Sequence, residues 1–169
     1  MQIKSTKNSA KNIKDKRIPN GKNLKIAVIL PYFNEEYGLL LYKNTFETLL
    51  EYGVKKQNIK LERVPGALEL PFAAQKIIKT KKINVVIALG IVIKGETNHY
   101  DFVCAETFRG LMDVQLKLNT PIIFGILTCK THKQVKDRIS KNGLNKGKSF
   151  AEAALIQASL LKYLQKNQT

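Results

Sequence analysis

The sequence predicts an α/β fold, a four-stranded parallel sheet with helices on both faces. Short apolar runs rich in Ile and Val alternate with longer segments of helical periodicity. The most apolar run, Ile83–Ile93, shows no polar alternation, as expected of a central parallel strand covered on both faces. The order strand, helix, strand then recurs along the chain, which implies crossover connections and a parallel sheet.

The elements follow in order. Leu24–Leu30 has the length and β-branched content of a buried strand. Residues 37–52 place Leu40, Phe46, Leu49 and Leu50 on an apolar helical stripe, ended by Gly53 at the C′ position. Asn58–Val64 alternates apolar and polar residues, as an edge or half-covered strand does. Pro65-Gly66 turns the chain and residues 68–79 form the second helix. After Ile83–Ile93, residues 100–118 read as the third helix and Pro121–Leu127 as the fourth strand. Helices over about 131–141 and 149–165 close the chain, separated by the loop Asn142–Gly147. Residues 24–169 thus form one domain without internal repeats. Residues 1–23 form a basic arm, broken by Pro19-Asn20-Gly21 and suited to pairing with a neighbour's sheet edge.

Composition narrows the function classes. A hydrophobic share of 44% with 25% charged residues is that of a globular chain. No stretch has the roughly 20 apolar residues that span a bilayer, and the N-terminal residues lack a secretory apolar core. A soluble cytoplasmic protein without membrane contact is expected. Cys104 and Cys129 are too few for a disulfide framework and read as reduced thiols in or near the core. The net charge of +16 first suggests a nucleic-acid partner. Residues 1–25, however, hold eight Lys and Arg against the single acid Asp15, a net +7. The rest is scattered, mostly as Lys, which argues for a solvated surface rather than a nucleic-acid interface.

Ligands of open parallel sheets bind beyond the carboxyl ends of the strands. The segments there are Pro31-Tyr32-Phe33-Asn34, Val64-Pro65-Gly66-Ala67-Leu68-Glu69, Lys94-Gly95-Glu96-Thr97-Asn98-His99 and Thr128-Cys129. Taken singly, each has a structural explanation. Phe33 could cap the core, Pro65-Gly66 could be only a turn, and Glu69 could serve the helix macrodipole. A lone histidine at a helix start, such as His99, is more often structural than catalytic. Three of the four segments nonetheless carry aromatic, glycine or ionisable residues that a plain connection does not need.

Together the strings Val64-Pro65-Gly66-Ala67-Leu68-Glu69-Leu70-Pro71, Ala88–Asp101 (which ends Gly95-Glu96-Thr97-Asn98-His99-Tyr100-Asp101) and Pro121–Thr128 resemble the lumazine synthase family. Asn145-Lys146-Gly147 before an alanine-rich helix fits as well, and the match runs over about residues 24–165. The resemblance implies a three-layer, flavodoxin-like α/β sandwich. It also implies condensation of 5-amino-6-(D-ribitylamino)uracil with 3,4-dihydroxy-2-butanone 4-phosphate to 6,7-dimethyl-8-ribityllumazine, in riboflavin biosynthesis. No cofactor and no metal is required, in keeping with a sequence that lacks metal-ligand spacing and phosphate-loop motifs.

Residue roles come with the resemblance. Phe33 would stack on the pyrimidine, with Asn34 in support. Ala67, Leu68 and Glu69 would hold the ribityl chain, and the main chain of Ile91, Val92 and Ile93 would read the uracil edge. Glu96 and Thr97 match the phosphate-binding pair, the donors being backbone amides and the Thr97 hydroxyl. Arg138 matches a phosphate-binding arginine, and Lys146 a lysine nearby. His99 would move protons, since imidazoles titrate near neutrality. Phe124 and Arg138 would reach the site of the adjacent subunit, which implies a homo-oligomer, a pentamer or a multiple of pentamers. Three positions depart from the pattern. Tyr32 and Lys94 stand where arginines are common, and Asn98 occupies a variable position. A riboflavin-synthase-type enzyme, a non-catalytic flavin or lumazine carrier, and a nucleic-acid module driven by the basic arm are the competing readings.

Overall fold

The computed structural model describes residues 18–166, so most of the basic arm lies outside the described residues. Four strands, β1 (Ile26–Pro31), β2 (Ile59–Val64), β3 (Val85–Ile93) and β4 (Ile122–Cys129), form one parallel sheet in the order β2-β1-β3-β4. The helices are α1 (Glu35–Glu51), α2 (Leu70–Thr80), α3 (His99–Leu118), α4 (His132–Ile139) and α5 (Lys146–Lys166). A 3₁₀ turn, Ala67–Glu69, precedes α2.

Side chains of β1 and β3 alternate between two cores, because successive strand residues point to opposite faces. Ile26, Val28, Ile87 and Leu89 pack with α1, α4 and α5, through Leu41, Leu49, Val135 and Leu155. Ala27, Ile29, Val86 and Ala88 face the other way, toward Leu70, Ala74, Leu111 and Val114 of α2 and α3. The result is three layers, with β1 buried throughout and β3 buried from Val85 to Ile91, as their unbroken apolar sequences require. Polar-interrupted β2 lies at an edge.

One expectation fails at α1. Leu40 and Leu50 are exposed, and the buried face runs instead through Gly38, Leu41, Asn44, Thr45, Thr48 and Leu49. The donor groups of the polar members are hydrogen-bonded, while the buried Asn44 Oδ1 finds no partner among the described residues. Asn44 donates to the Ile139 carbonyl at 2.6 Å, while Thr45 and Thr48 donate to the carbonyls of Leu41 and Asn44. Small side chains let α5 approach closely. A Cβ on Gly147 would stand 2.7 Å from that of Asn44 and 2.8 Å from the Leu41 carbonyl oxygen. Helix α1 ends as expected, Gly53 taking the left-handed conformation at φ 86°. Helix α5 begins at Lys146, three residues before its predicted start, so Lys146 and Gly147 belong to its first turn. Among the described residues no helix is long and apolar enough to cross a membrane.

Candidate active site

The strand pairing itself creates a cleft. Strands β1 and β3 are paired only as far as Ile29 opposite Ala88, whereas β3 stays paired with β4 to Ile93 opposite Cys129. Beyond Ala88 the two central strands part. This is where the strand order switches direction, the place where open α/β sheets bind ligands. A cavity of about 330 Å³ opens there, within the range of small-molecule sites.

Pro31, Phe33 and Asn34 reach it from the end of β1, and Gly66, Ala67, Leu68 and Glu69 from the turn after β2. Ile91, Val92 and Ile93 of β3 line it next. Gly95, Thr97 and His99 belong to the loop that follows, and Tyr100 and Val103 to the first turns of α3. Three of the four inspected loops therefore converge, as the rule for parallel sheets predicts.

Local chemistry explains how each is held. Asn34 sits at φ 57°, a left-handed conformation that Asn tolerates better than most residues. Its amide donates to the Ile91 carbonyl at 2.9 Å, bridging the strands where their ladder has ended. The Gly66 amide donates to Glu69 Oε2 at 2.8 Å, so that carboxylate closes its own turn with one oxygen. Phe33 and His99 are both exposed on the rim. The His99 amide donates to the Thr97 hydroxyl at 3.4 Å. Lys94 lies 3.8 Å from the Asp101 carboxylate and over the Tyr100 ring, and its amide donates to the Cys129 carbonyl.

Four residues singled out in the sequence do not line this cavity. Glu96 is exposed on the loop and does not line the cavity. Phe124 packs edge-on against Phe108 at 5.8 Å, in the layer formed by α2 and α3. Arg138 donates from Nη1 to the Gln134 carbonyl at 3.0 Å. It stands near Cys129, where it opposes the upward push that burial gives that thiol. Lys146 is half-buried at the start of α5.

Tyr100 and Val103 were not singled out. Val103 follows His99 by four residues on one helix and so shares its face, a signal available once α3 is known to begin at His99. Tyr100 pairs with Thr128 and Cys104, and burial pushes its phenol up, so it stays protonated near neutral pH. Tyr32 carries a cation over its ring after all. The Arg63 guanidinium of β2 lies 4.2 Å from the ring centroid. Among the described residues no group of three or more His, Cys, Asp or Glu is placed to hold a metal ion.

The pattern has a counterpart among known proteins. A family model for 6,7-dimethyl-8-ribityllumazine synthase matches residues 23–162, which include every strand and every segment around the cleft. The chain belongs to the 6,7-dimethyl-8-ribityllumazine synthase family of riboflavin biosynthesis.

Proposed function

We propose that this protein condenses 5-amino-6-(D-ribitylamino)uracil with 3,4-dihydroxy-2-butanone 4-phosphate, releasing phosphate and water, without metal or organic cofactor. The observation that carries this reading is the shared cleft. An exposed aromatic ring, a strand-end backbone and an exposed imidazole all border one cavity at the switch point. Phe33 supplies a stacking surface, and the main chain of Ile91–Ile93 offers donors and acceptors for the uracil edge. Ala67, Leu68 and the free oxygen of Glu69 take the ribityl hydroxyls. The phosphate lies at the opening of α3, held by the loop amides and the Thr97 hydroxyl, with positive potential from Arg138 and Lys146. His99 carries protons through imine formation, phosphate elimination and ring closure. Holding two substrates together contributes as much as proton transfer does.

Incubating the protein with both substrates tests this directly. Lumazine absorbance should appear together with free phosphate. Tight lumazine binding with no phosphate release would mark a carrier instead.

We further propose that the sites are shared between subunits of a cytosolic homo-oligomer, a pentamer or a multiple of pentamers. Two observations support this. Arg138 and Phe124 lie outside their own chain's cavity. Helices α2 and α3 expose the large apolar side chains Phe72, Phe102, Met112 and Leu116, the kind of surface that subunit contacts cover. Mixed oligomers of His99→Ala and Arg138→Ala chains should regain some complete sites and hence activity. No recovery after verified subunit exchange would assign each site to one chain.

A further inference from the structure

Phe33 presents a physical problem. Its side chain is 73% exposed, so almost no packing holds the ring in one direction. A stacking platform must nevertheless be oriented before the ligand arrives, or its ordering subtracts from binding. The backbone on either side of it must therefore do the work.

That backbone is tied to the edge strand. The Tyr32 amide donates to the Val64 carbonyl at 2.8 Å, and the Phe33 amide to the Pro65 carbonyl at 3.3 Å. Arg63, opposite Leu30 in the β1–β2 register, closes the arrangement from the side. Its Nε donates to the Leu30 carbonyl at 3.0 Å. Its Nη2 reaches the Pro31 carbonyl at 3.4 Å and the Glu35 carboxylate at 2.7 Å. The same guanidinium lies 4.2 Å from the Tyr32 ring centroid, a cation–π contact. One side chain thus touches the last two residues of β1, the residue before Phe33 and the first residue of α1. Its side chain is only 21% exposed, so these contacts are partly shielded from water.

We propose that Arg63 is a positioning residue for the pyrimidine platform: by clamping Leu30, Pro31, Tyr32 and Glu35 it fixes the turn that aims Phe33 into the cleft. This rests on the assignment of Phe33 as the stacking surface in the proposed function. Arginine is required because one planar group must stack and bond in several directions at once, which a lysine ammonium cannot do. A role limited to the ion pair with Glu35 would be met by lysine.

The test uses the full chain with Arg63→Met, Arg63→Lys and, as a variant that spares β2, Tyr32→Leu. Hydrogen exchange reads the clamp without any substrate. The Tyr32 and Phe33 amides should exchange about tenfold faster in Arg63→Met, while the Ile87 amide in the central strand keeps its protection. Steady-state kinetics then read the consequence. The KM for the aminouracil substrate should rise about tenfold, with kcat and the KM for the sugar phosphate changing less than about twofold. Tyr32→Leu should give the same pattern more weakly, and Arg63→Lys should not restore the wild-type values. Unchanged exchange at Tyr32 and Phe33, equal changes in both KM values, or full rescue by lysine would each overturn the proposal. Wild-type protein without turnover would instead count against the proposed function, leaving the exchange result to decide the clamp.

Discussion

The two ends of the cleft are built differently. At the end proposed for the pyrimidine, Phe33, Asn34, Ala67, Glu69 and Ile91 border the cavity, held by bonds such as Asn34 to Ile91 and Gly66 to Glu69. At the end proposed for the phosphate, Lys94–His99 is an exposed loop, and Arg138 sits on another helix outside the cavity. One end has its lining tied by hydrogen bonds within the chain. The other has its loop at the cavity, while Arg138, the cation proposed for it, lies outside. The contrast follows from topology, since the switch point lies between β1 and β3, whereas α4 follows the far edge strand β4.

Changes at the two ends should therefore differ in kind. The largest effect is expected at His99. Replacement by alanine should slow single turnover by about 10²–10⁴-fold while leaving residual activity from substrate juxtaposition. A near wild-type rate would remove His99 from the chemistry.

Next comes Arg138→Ala, which would remove the charge-assisted phosphate contact that the proposed function assigns to it. The KM for the sugar phosphate should rise by roughly 10–100-fold, with little change for the aminouracil. A rise for the aminouracil alone would place Arg138 at the wrong end.

A smaller effect separates backbone from side chain at the ordered end. Asn34→Gly keeps the φ 57° conformation available but deletes the bond to the Ile91 carbonyl. Losing one such bond, about 1 kcal/mol, should weaken aminouracil binding about fivefold. Binding titration checks it, and unchanged affinity would mean that the strand end holds its position unaided.

The smallest effect concerns how firmly α4 is held. Lys141, just beyond α4, bonds Glu47 of α1 at 2.6 Å, and this bond holds the Glu47 carboxyl below its ordinary range. The folded-state value is depressed, so the stabilisation is present above the ordinary carboxylate range and lost as pH falls through the lowered value. Glu47→Gln should lower the Tm slightly at neutral pH, as exposed pairs do, and the difference should vanish in acid. A difference that persists in acid would trace to packing rather than charge.

The residues differ in how much of this they reveal by themselves. Apolar runs mark β1 and β3 because a strand buried on both faces cannot alternate, and a similar run marks the partly covered edge strand β4. Helix α1 misleads for the converse reason: Asn44, Thr45 and Thr48 are buried with their donor groups bonded to local or cross-helix acceptors, while Leu40 and Leu50 stay exposed. Phe33, Glu69 and His99 were legible from their places just beyond strands. Arg63 was not. It lies within a strand, and its partners are 28 to 33 positions away in the chain.

What the sequence alone determined is the alternation of elements, the buried character of the central strands and the loops that would meet at one sheet edge, all consequences of local periodicity and connection rules. Only the tertiary structure decided where β1 and β3 part, which side chains span the gap, and that Arg138 and Phe124 stay outside the cavity formed by their own chain. Those features depend on register and helix phase, which arise when distant segments pack and are not properties of any one segment.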